Sequence, residues 1–327
     1  MIRRRHLLAA PAILAAVPAR AQTVTMRLSH QFPPAHHIAR VIASFAEDVK
    51  ARDVGIEVQV FPAEQLARVN ENFPGTARGA FEAAALVNFW WSNTLPEMSA
   101  VTIPFLFTEL PKIQHFVGSP AAKFLEERIA KKGVVNLAWL FTTRQVIFTS
   151  SNKPVVTTDD FRGLKIRGLN PLTDHALTAI GASALATPGP EVPGALQSGV
   201  LDAGITDVSA AVSRRYYEFQ KFGTVLPYFT AYTHIFVNPR FLQGLNPAQR
   251  TALEAAAHKA EADAITASEA TAAAATGELR AKGMTITELS PEQVAAWRSK
   301  MQKPVVDAFL RSAPEGGARI IELLEKL

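Results

Sequence analysis

The segment DFRGLKIRGLNPLTDHALTAIGASALATPGPEVPGALQSGVLDAGITD, residues 160–207, decides the fold class. It reads as strand, helix, strand, helix, strand. Leu164 to Arg167 is a short strand that ends on a charge. Asn170 and Pro171 supply a helix N-cap and a first helical residue, and Gly181 supplies a stop. Ser183–Ala186 is the second strand, Pro190–Ser198 the second helix, and Val200–Thr206 the third strand. Units this short predict parallel strands joined by right-handed crossovers. In open α/β sheets, ligands sit beyond the carboxyl ends of strands. Arg167 and the pair Thr206 and Asp207 occupy two such ends. A guanidinium aimed at a crevice suits an anion, most simply a carboxylate. On an open surface the same arginine would pair with water or an acid.

The pattern repeats upstream. Val24–Ser29 alternates as a strand and leads into the loop His30-Gln31-Phe32-Pro33-Pro34. An amphipathic helix over 35–51, a strand over Ile56–Phe61, a helix over 70–77 weakened by Pro74, and a strand over Phe81–Val87 complete a second unit. Its strand exits offer Gln31 and Phe32, then Asn88, Phe89 and Trp90 beside Trp91. Aromatics at such an exit can wall a pocket, or they can simply pack a core. Further along, the spacing predicts a helix over 112–130 and strands over 134–140 and 145–150. Thr142-Thr143-Arg144 forms the crossing between those strands. A helix closes over 216–221, and an extended run over 228–237 carries Tyr232 back to the first unit. Asn246, with Gln249 at the third position, opens an Ala-rich segment that ends at Lys282. It reads either as one helix of roughly 50 Å or as two helices broken near Thr276-Gly277. The expectation is an α/β chain of two lobes with a long helix along both. Lobe I takes residues 22–143 with approximately 232–270, and lobe II takes 144–231 with approximately 271–327.

The chain of 327 residues has a formal charge of +5, but four basic residues (Arg3, Arg4, Arg5, Arg20) precede residue 22. The remainder balances at 30 basic against 29 acidic, which gives nucleic-acid binding no support. Residues 1–21 read as an export signal: a basic start, an apolar run over Leu7–Val17, and Ala19-Arg20-Ala21 as cleavage site. Arg4-Arg5 followed by Leu7-Leu8 also fits a twin-arginine signal. Once that segment is removed, the mature chain is expected to be exported and not membrane-spanning. There is no cysteine, and hence no disulfide, thiolate metal site or cysteine nucleophile.

Catalytic motifs are missing from the sequence: there is no G-x-S-x-G, H-E-x-x-H, P-loop or G-x-G-x-x-G. His30, His36 and His37 match no ordinary zinc spacing, and His36 and His37 are expected on different sides of a helix start. No metal and no cofactor is expected. Arg144, flanked by Thr143 and Gln145, is either a second ligand-facing arginine or a structural ion pair.

Several ordered pieces carry a resemblance. Ser151-Asn152-Lys153-Pro154 followed by Asp160-Phe161-Arg162-Gly163-Leu164-Lys165-Ile166-Arg167 resembles the "SNKP…DLKGLKIR" signature of TRAP-transporter solute-binding proteins. Phe61-Pro62-Ala63-Glu64-Gln65-Leu66, Pro104-Phe105-Leu106-Phe107, Ala195-Leu196-Gln197-Ser198-Gly199-Val200-Leu201-Asp202 and Tyr217-Glu218 with Lys221 match further pieces in order. The resemblance covers about Val24 to Met284. It implies a two-lobed periplasmic binding protein that captures a small organic acid in its cleft. The acid would pass to a TRAP membrane permease, with no turnover. It also implies Arg167 as the main carboxylate ligand and Arg144 as the second. Where many members have a ligand-contacting asparagine this chain has Thr206, and Glu82 stands where aspartate is common. The run Phe229–His234 matches the family poorly. The aromatic wall favours an aromatic or keto acid over a small dicarboxylate. The competing readings are a secreted hydrolase or lyase acting on a small carboxylate, and a receptor for another importer or a sensor.

Overall fold

A computed structural model describes residues 23–327; the expected export signal lies outside them. The first unit alternates β1 (Val24–His30), α1 (His37–Ala51), β2 (Ile56–Phe61), α2 (Val69–Arg78) and β3 (Ala83–Val87). Short helices α3 (Leu110–Gln114) and α4 (Pro120–Ala130) lead to β4 (Val135–Ser150). The second unit holds β5 (Lys165–Gly168), α5 (His175–Ala179), β6 (Ser183–Ala186), α6 (Val192–Gln197), β7 (Ala203–Asp207) and α7 (Val208–Ser213). The chain continues through β8 (Phe222–Val237), α8 (Pro239–Gly244), α9 (Pro247–Ala281) and β9 (Thr285–Glu288). It ends in α10 (Pro291–Ser312) and α11 (Gly317–Glu325).

All nine strands join one sheet in the order β2-β1-β3-β8-β4-β7-β5-β6, with β9 added to β8. The outer trios β2-β1-β3 and β6-β5-β7 are each parallel. Between them β4 and β8 run antiparallel along their whole 16-residue length. Their registers slip at Asn136/Ala138, Phe141/Thr143 and Thr143/Gln145. β3 pairs only with the carboxyl half of β8, and β7 only with the carboxyl half of β4. The two α/β units therefore share a central ribbon, and their strand ends face each other across its irregular middle.

Several elements differ from the sequence expectation for local reasons. The helix expected over 112–130 is two helices. Gly118 takes φ 75°, and the Ser119 side chain caps the second by accepting from the Ala122 N–H. The two strands expected around Thr142–Arg144 are one, and the crossing is a bulge within it. The helix expected from Pro171 shrinks to α5. Asn170 still acts as a cap, its Oδ1 accepting from Leu172 and Thr173 N–H, but it closes a turn. The helix expected to close over 216–221 ends at Ser213, and a 3-10 turn over Tyr216–Glu218 follows.

The Ala-rich segment is one helix of 35 residues, opened by the Asn246–Gln249 capping box. Gly277 lies within it, exposed, where glycine costs only about 1 kcal/mol. The helix lies along α1, β4 and α7, and so runs beside both units. Its buried face is mostly alanine, which permits close approach to the sheet. α10 packs on α5, and its Trp297 lies edge-on to Phe148 and Phe161 with Nε1 donating to Val156 O at 2.9 Å. α11 then returns to α4 and the 96–102 turn.

Candidate functional site

The exits of β1, β3, β5 and β7 and the bulged middle of β4 and β8 enclose a cavity of about 40 Å³. That is room for a few water molecules. From the first unit come Gln31 and Phe32 after β1, with Val87, Phe89 and Trp90 at the end of β3. The second unit supplies Arg167 and Leu169 at β5, Thr206 and Asp207 at β7, and Arg214 just beyond α7. Thr142, Thr143, Phe229 and Ala231 form its central wall.

Arg167 is only 3% exposed, yet no carboxylate bridges it among the described residues. Its Nε donates to Thr187 O at 3.1 Å and its Nη1 to Ile205 O at 2.7 Å. Two main-chain carbonyls thus aim the fork and supply no opposite charge. A buried cation held this way is costly until an anion arrives. Asp174 is the nearby acid. Its Oδ1 accepts from Leu169 N–H at 2.8 Å, and burial pushes its carboxyl up to about 6. It sits on the bare α-carbon of Gly168, where a Cβ would be 2.1 Å from Oδ2.

Asp207 closes β7 and caps α7, accepting from Ala210 N–H at 2.7 Å. Burial would raise its carboxyl, but the His36 Nε2–H aimed at it and that N–H hold it low. The two histidines stack at 4.4 Å, so the expectation that they point to different sides is corrected. With Asp207 they bring three potential ligand atoms within 4.8 Å of one another. Their tautomers oppose a metal. His36 Nδ1 accepts from Ile38 N–H, which puts its proton on Nε2, the nitrogen 3.6 Å from Asp207 Oδ1. His37 Nε2 donates to Thr142 O at 3.0 Å. Burial drives both rings toward the neutral form, His37 to about 3, and does the same to His30, at about 4. They are neutral props beneath a charged carboxylate.

Seven of the ten expected residues border the cavity: Arg167, Thr206, Asp207, Phe89, Trp90, Gln31 and Phe32. Three do not. Asn88 is spent on scaffold: its Nδ2 donates to Met98 O at 2.7 Å and its Oδ1 accepts from Tyr232 N–H at 2.9 Å. The Tyr232 ring is buried against Phe116 at 4.5 Å, with its hydroxyl on Ile113 O. Arg144 forms a two-pronged pair with Glu269 of α9, at 3.1 and 2.8 Å, in a separate surface cleft. This pairing agrees with the structural reading of Arg144. Trp91 is likewise core, against Phe73 and Phe236. Sequence reasoning missed Arg214. Its signal was spacing: it lies seven residues after Asp207, two helical turns on the same face.

Residues 28–312 match the DctP family, bacterial extracellular solute-binding protein family 7. Among curated relatives, the C4-dicarboxylate-binding periplasmic protein DctP of Rhodobacter capsulatus is 27% identical, over 89% of this chain and 88% of its own. A solute-binding protein of Albidiferax ferrireducens is 28% identical and the uncharacterized protein y4mM of Sinorhizobium fredii 33%. This chain matches only 52% and 35% of their respective lengths. Among solved structures, a TRAP periplasmic solute-binding protein of Desulfovibrio salexigens with bound orotic acid superposes with TM-score 0.87. It is 25% identical and covered over 97% of its length, with 92% of this chain aligned. The Bordetella pertussis receptor DctP7, which binds pyroglutamic acid, superposes with TM-score 0.86 at 23% identity, covering 92% of this chain and 99% of its own.

Proposed function

The chain belongs to family 7 of the bacterial extracellular solute-binding proteins, and on that premise we propose that it is an extracytoplasmic receptor for an organic acid. The carboxylate docks on Arg167. One observation carries this reading: an arginine 3% exposed, aimed into the cavity by two carbonyls and bridged by no carboxylate among the described residues. Phe32, Phe89 and Trp90 wall the acid's carbon frame, while Gln31, Thr206 and Asp207 offer it polar contacts. The relative from Rhodobacter capsulatus and the orotate-bound structure both concern carboxylic acids.

The moving parts are the two α/β units, divided at the β4 bulge near Thr143 and at Ala231–Tyr232 of β8. Ligand contacts made only when both units meet would favour the closed form. Delivery is to a TRAP-type membrane permease from the periplasm, after removal of the export signal. No helix among the described residues is long and apolar enough to cross a membrane.

A thermal-shift screen of organic acids tests the reading. A ligand at 100 times its Kd should add about 2.7 kcal/mol of stability. Arg167→Ala should abolish the shift. A full shift in that variant would remove Arg167 from the site, and consumption of the acid by the protein would remove the receptor role.

A further inference from the structure

We propose that Arg214 is the second cation of this site and that Asp207 restricts it to carboxylic monoanions bearing an N–H or O–H donor. The inference rests on the receptor reading and narrows its ligand. Asp207 and Arg214 flank the two ends of α7 and both border the cavity with Arg167. Among the described residues, no hydrogen bond or ion pair engages the Arg214 guanidinium. It lies flat on Gly189, where a Cβ would sit 2.1 Å from Nη1 and 2.6 Å from Cζ. A bare α-carbon therefore makes the room in which this cation rests. Burial works most strongly against the Arg214 cation and Arg167 adds to it, while Tyr216, Asp207 and Glu64 offset part of that on a residue that stays partly exposed. A cation left in such a place is balanced when the ligand brings the anion.

The lining charges then set the ligand's charge. On the cavity wall itself Arg167 and Arg214 stand against one carboxylate, Asp207, while His30, His36 and His37 are held neutral by burial; behind the wall Asp174 acts on Arg167 and Glu64 on Arg214. Among the groups a ligand can touch one positive charge is left over, and a single carboxylate balances it. A second carboxylate would lie in the same small cavity as Asp207, with no further cation on the wall. Asp207 is ionised and can only accept hydrogen bonds. Its Oδ1 takes the Ala210 N–H, and among the described residues its Oδ2 has no donor. A ligand N–H or O–H fills that place. Selection against dianions thus comes from an installed repulsion as well as from an attraction.

Calorimetry on the mature chain tests this with three series: pyroglutamate, cyclopentanecarboxylate and succinate; lactate, propanoate and malonate; gluconate, hexanoate and glucarate. In the series that binds, the first acid should be tightest, with the other two weaker by about tenfold or more, which is one lost charge-assisted contact. Asp207→Asn keeps a capping side chain and removes the charge. It should swing the preference toward the dicarboxylate by about tenfold, a gain that misfolding cannot produce. Arg214→Gln, and Gly189→Ala by displacing the guanidinium, should each weaken the first acid by about tenfold. Equal wild-type affinity for the dicarboxylate, an unchanged preference in Asp207→Asn, or full affinity in Arg214→Gln would overturn the proposal. If Arg167→Ala loses binding while Arg214→Gln keeps it, the receptor reading stands and this one falls. If the wild type binds no acid in any series, both fall.

Discussion

Arg144 and Arg167 sit on strands of one sheet, on either side of β7, and have opposite fates. Arg144 extends from the bulge of β4 to a protein carboxylate, Glu269, and both prongs of its fork are occupied. Arg167 ends β5 and meets carbonyls, so its charge is aimed but not neutralised. Exposure follows the same division: the Arg144 side chain is 23% exposed, while Arg167 is sealed at 3%. An arginine that faces water can keep a local partner at little cost. One that is buried without a bridging acid is the place the proposed ligand would complete. Residue type and local sequence do not distinguish the two; the partner does.

The largest test of this contrast is Arg167→Ala. It should cost about 3–5 kcal/mol of binding, read as a fall in affinity of at least a hundredfold by calorimetry. Any smaller loss than that from Arg144→Ala would collapse the distinction. Next in size is pH. The buried His30, His37 and His234 are depressed to about 4, 3 and 3, with His36 lowered as well. A depressed histidine contributes stability that is complete above its unfolded value near 6.5 and is lost as pH falls toward the folded value. Between pH 6 and 4, denaturant melts should therefore show stability falling by roughly 1 kcal/mol per pH unit for each such histidine. Asp174 acts in the other direction: raised to about 6, it favours the fold below pH 4 and withdraws that support as pH rises through 6. A flat profile across this range would show these rings to be charged and the cavity floor to be wet.

Asn88→Ala comes third. Removing both ends of its tie orphans Met98 O and Tyr232 N–H, at about 2 kcal/mol of stability by chemical denaturation. If the loss appeared in affinity and not in stability, Asn88 would belong to the site after all. The smallest effect is expected from Arg144→Ala, whose half-exposed pair is worth about 0–1 kcal/mol. Its melting temperature should drop slightly, and its affinity for the acid should stay within about threefold of wild type.

Much of this was readable in residue order. The alternation over 160–207 gave the parallel unit and put Arg167, Thr206 and Asp207 at strand exits, and those three do line one cavity. The exits of β1 and β3 likewise delivered Gln31, Phe32, Phe89 and Trp90. What was not readable depends on partners distant in sequence. Glu269 lies 125 residues from Arg144, on a helix whose path over the sheet no local pattern specifies. Asn88 and Phe89 are adjacent, and only the pairing of β3 with β8 decides that one turns to scaffold and the other to the cavity. Arg214 could be reached only through its seven-residue spacing from Asp207, a weak signal across a helix of six residues. The histidines were misread because the N-cap geometry at His36 folds its ring onto that of His37.

The shared ribbon of β4 and β8 has a further consequence. Where two units are tied by a flexible linker, they can reorient about any axis. Here two antiparallel strands cross together, and they already slip register near Phe141–Gln145. Displacement of one end of the sheet relative to the other is channelled into bending at that slip, with the 35-residue α9 alongside as a stiff rod. A motion so confined would turn the two units about one line, as a jaw turns on its pin. An acid too bulky for that motion to close over would be refused by the mechanics of the frame, however well its carboxylate fits the arginine.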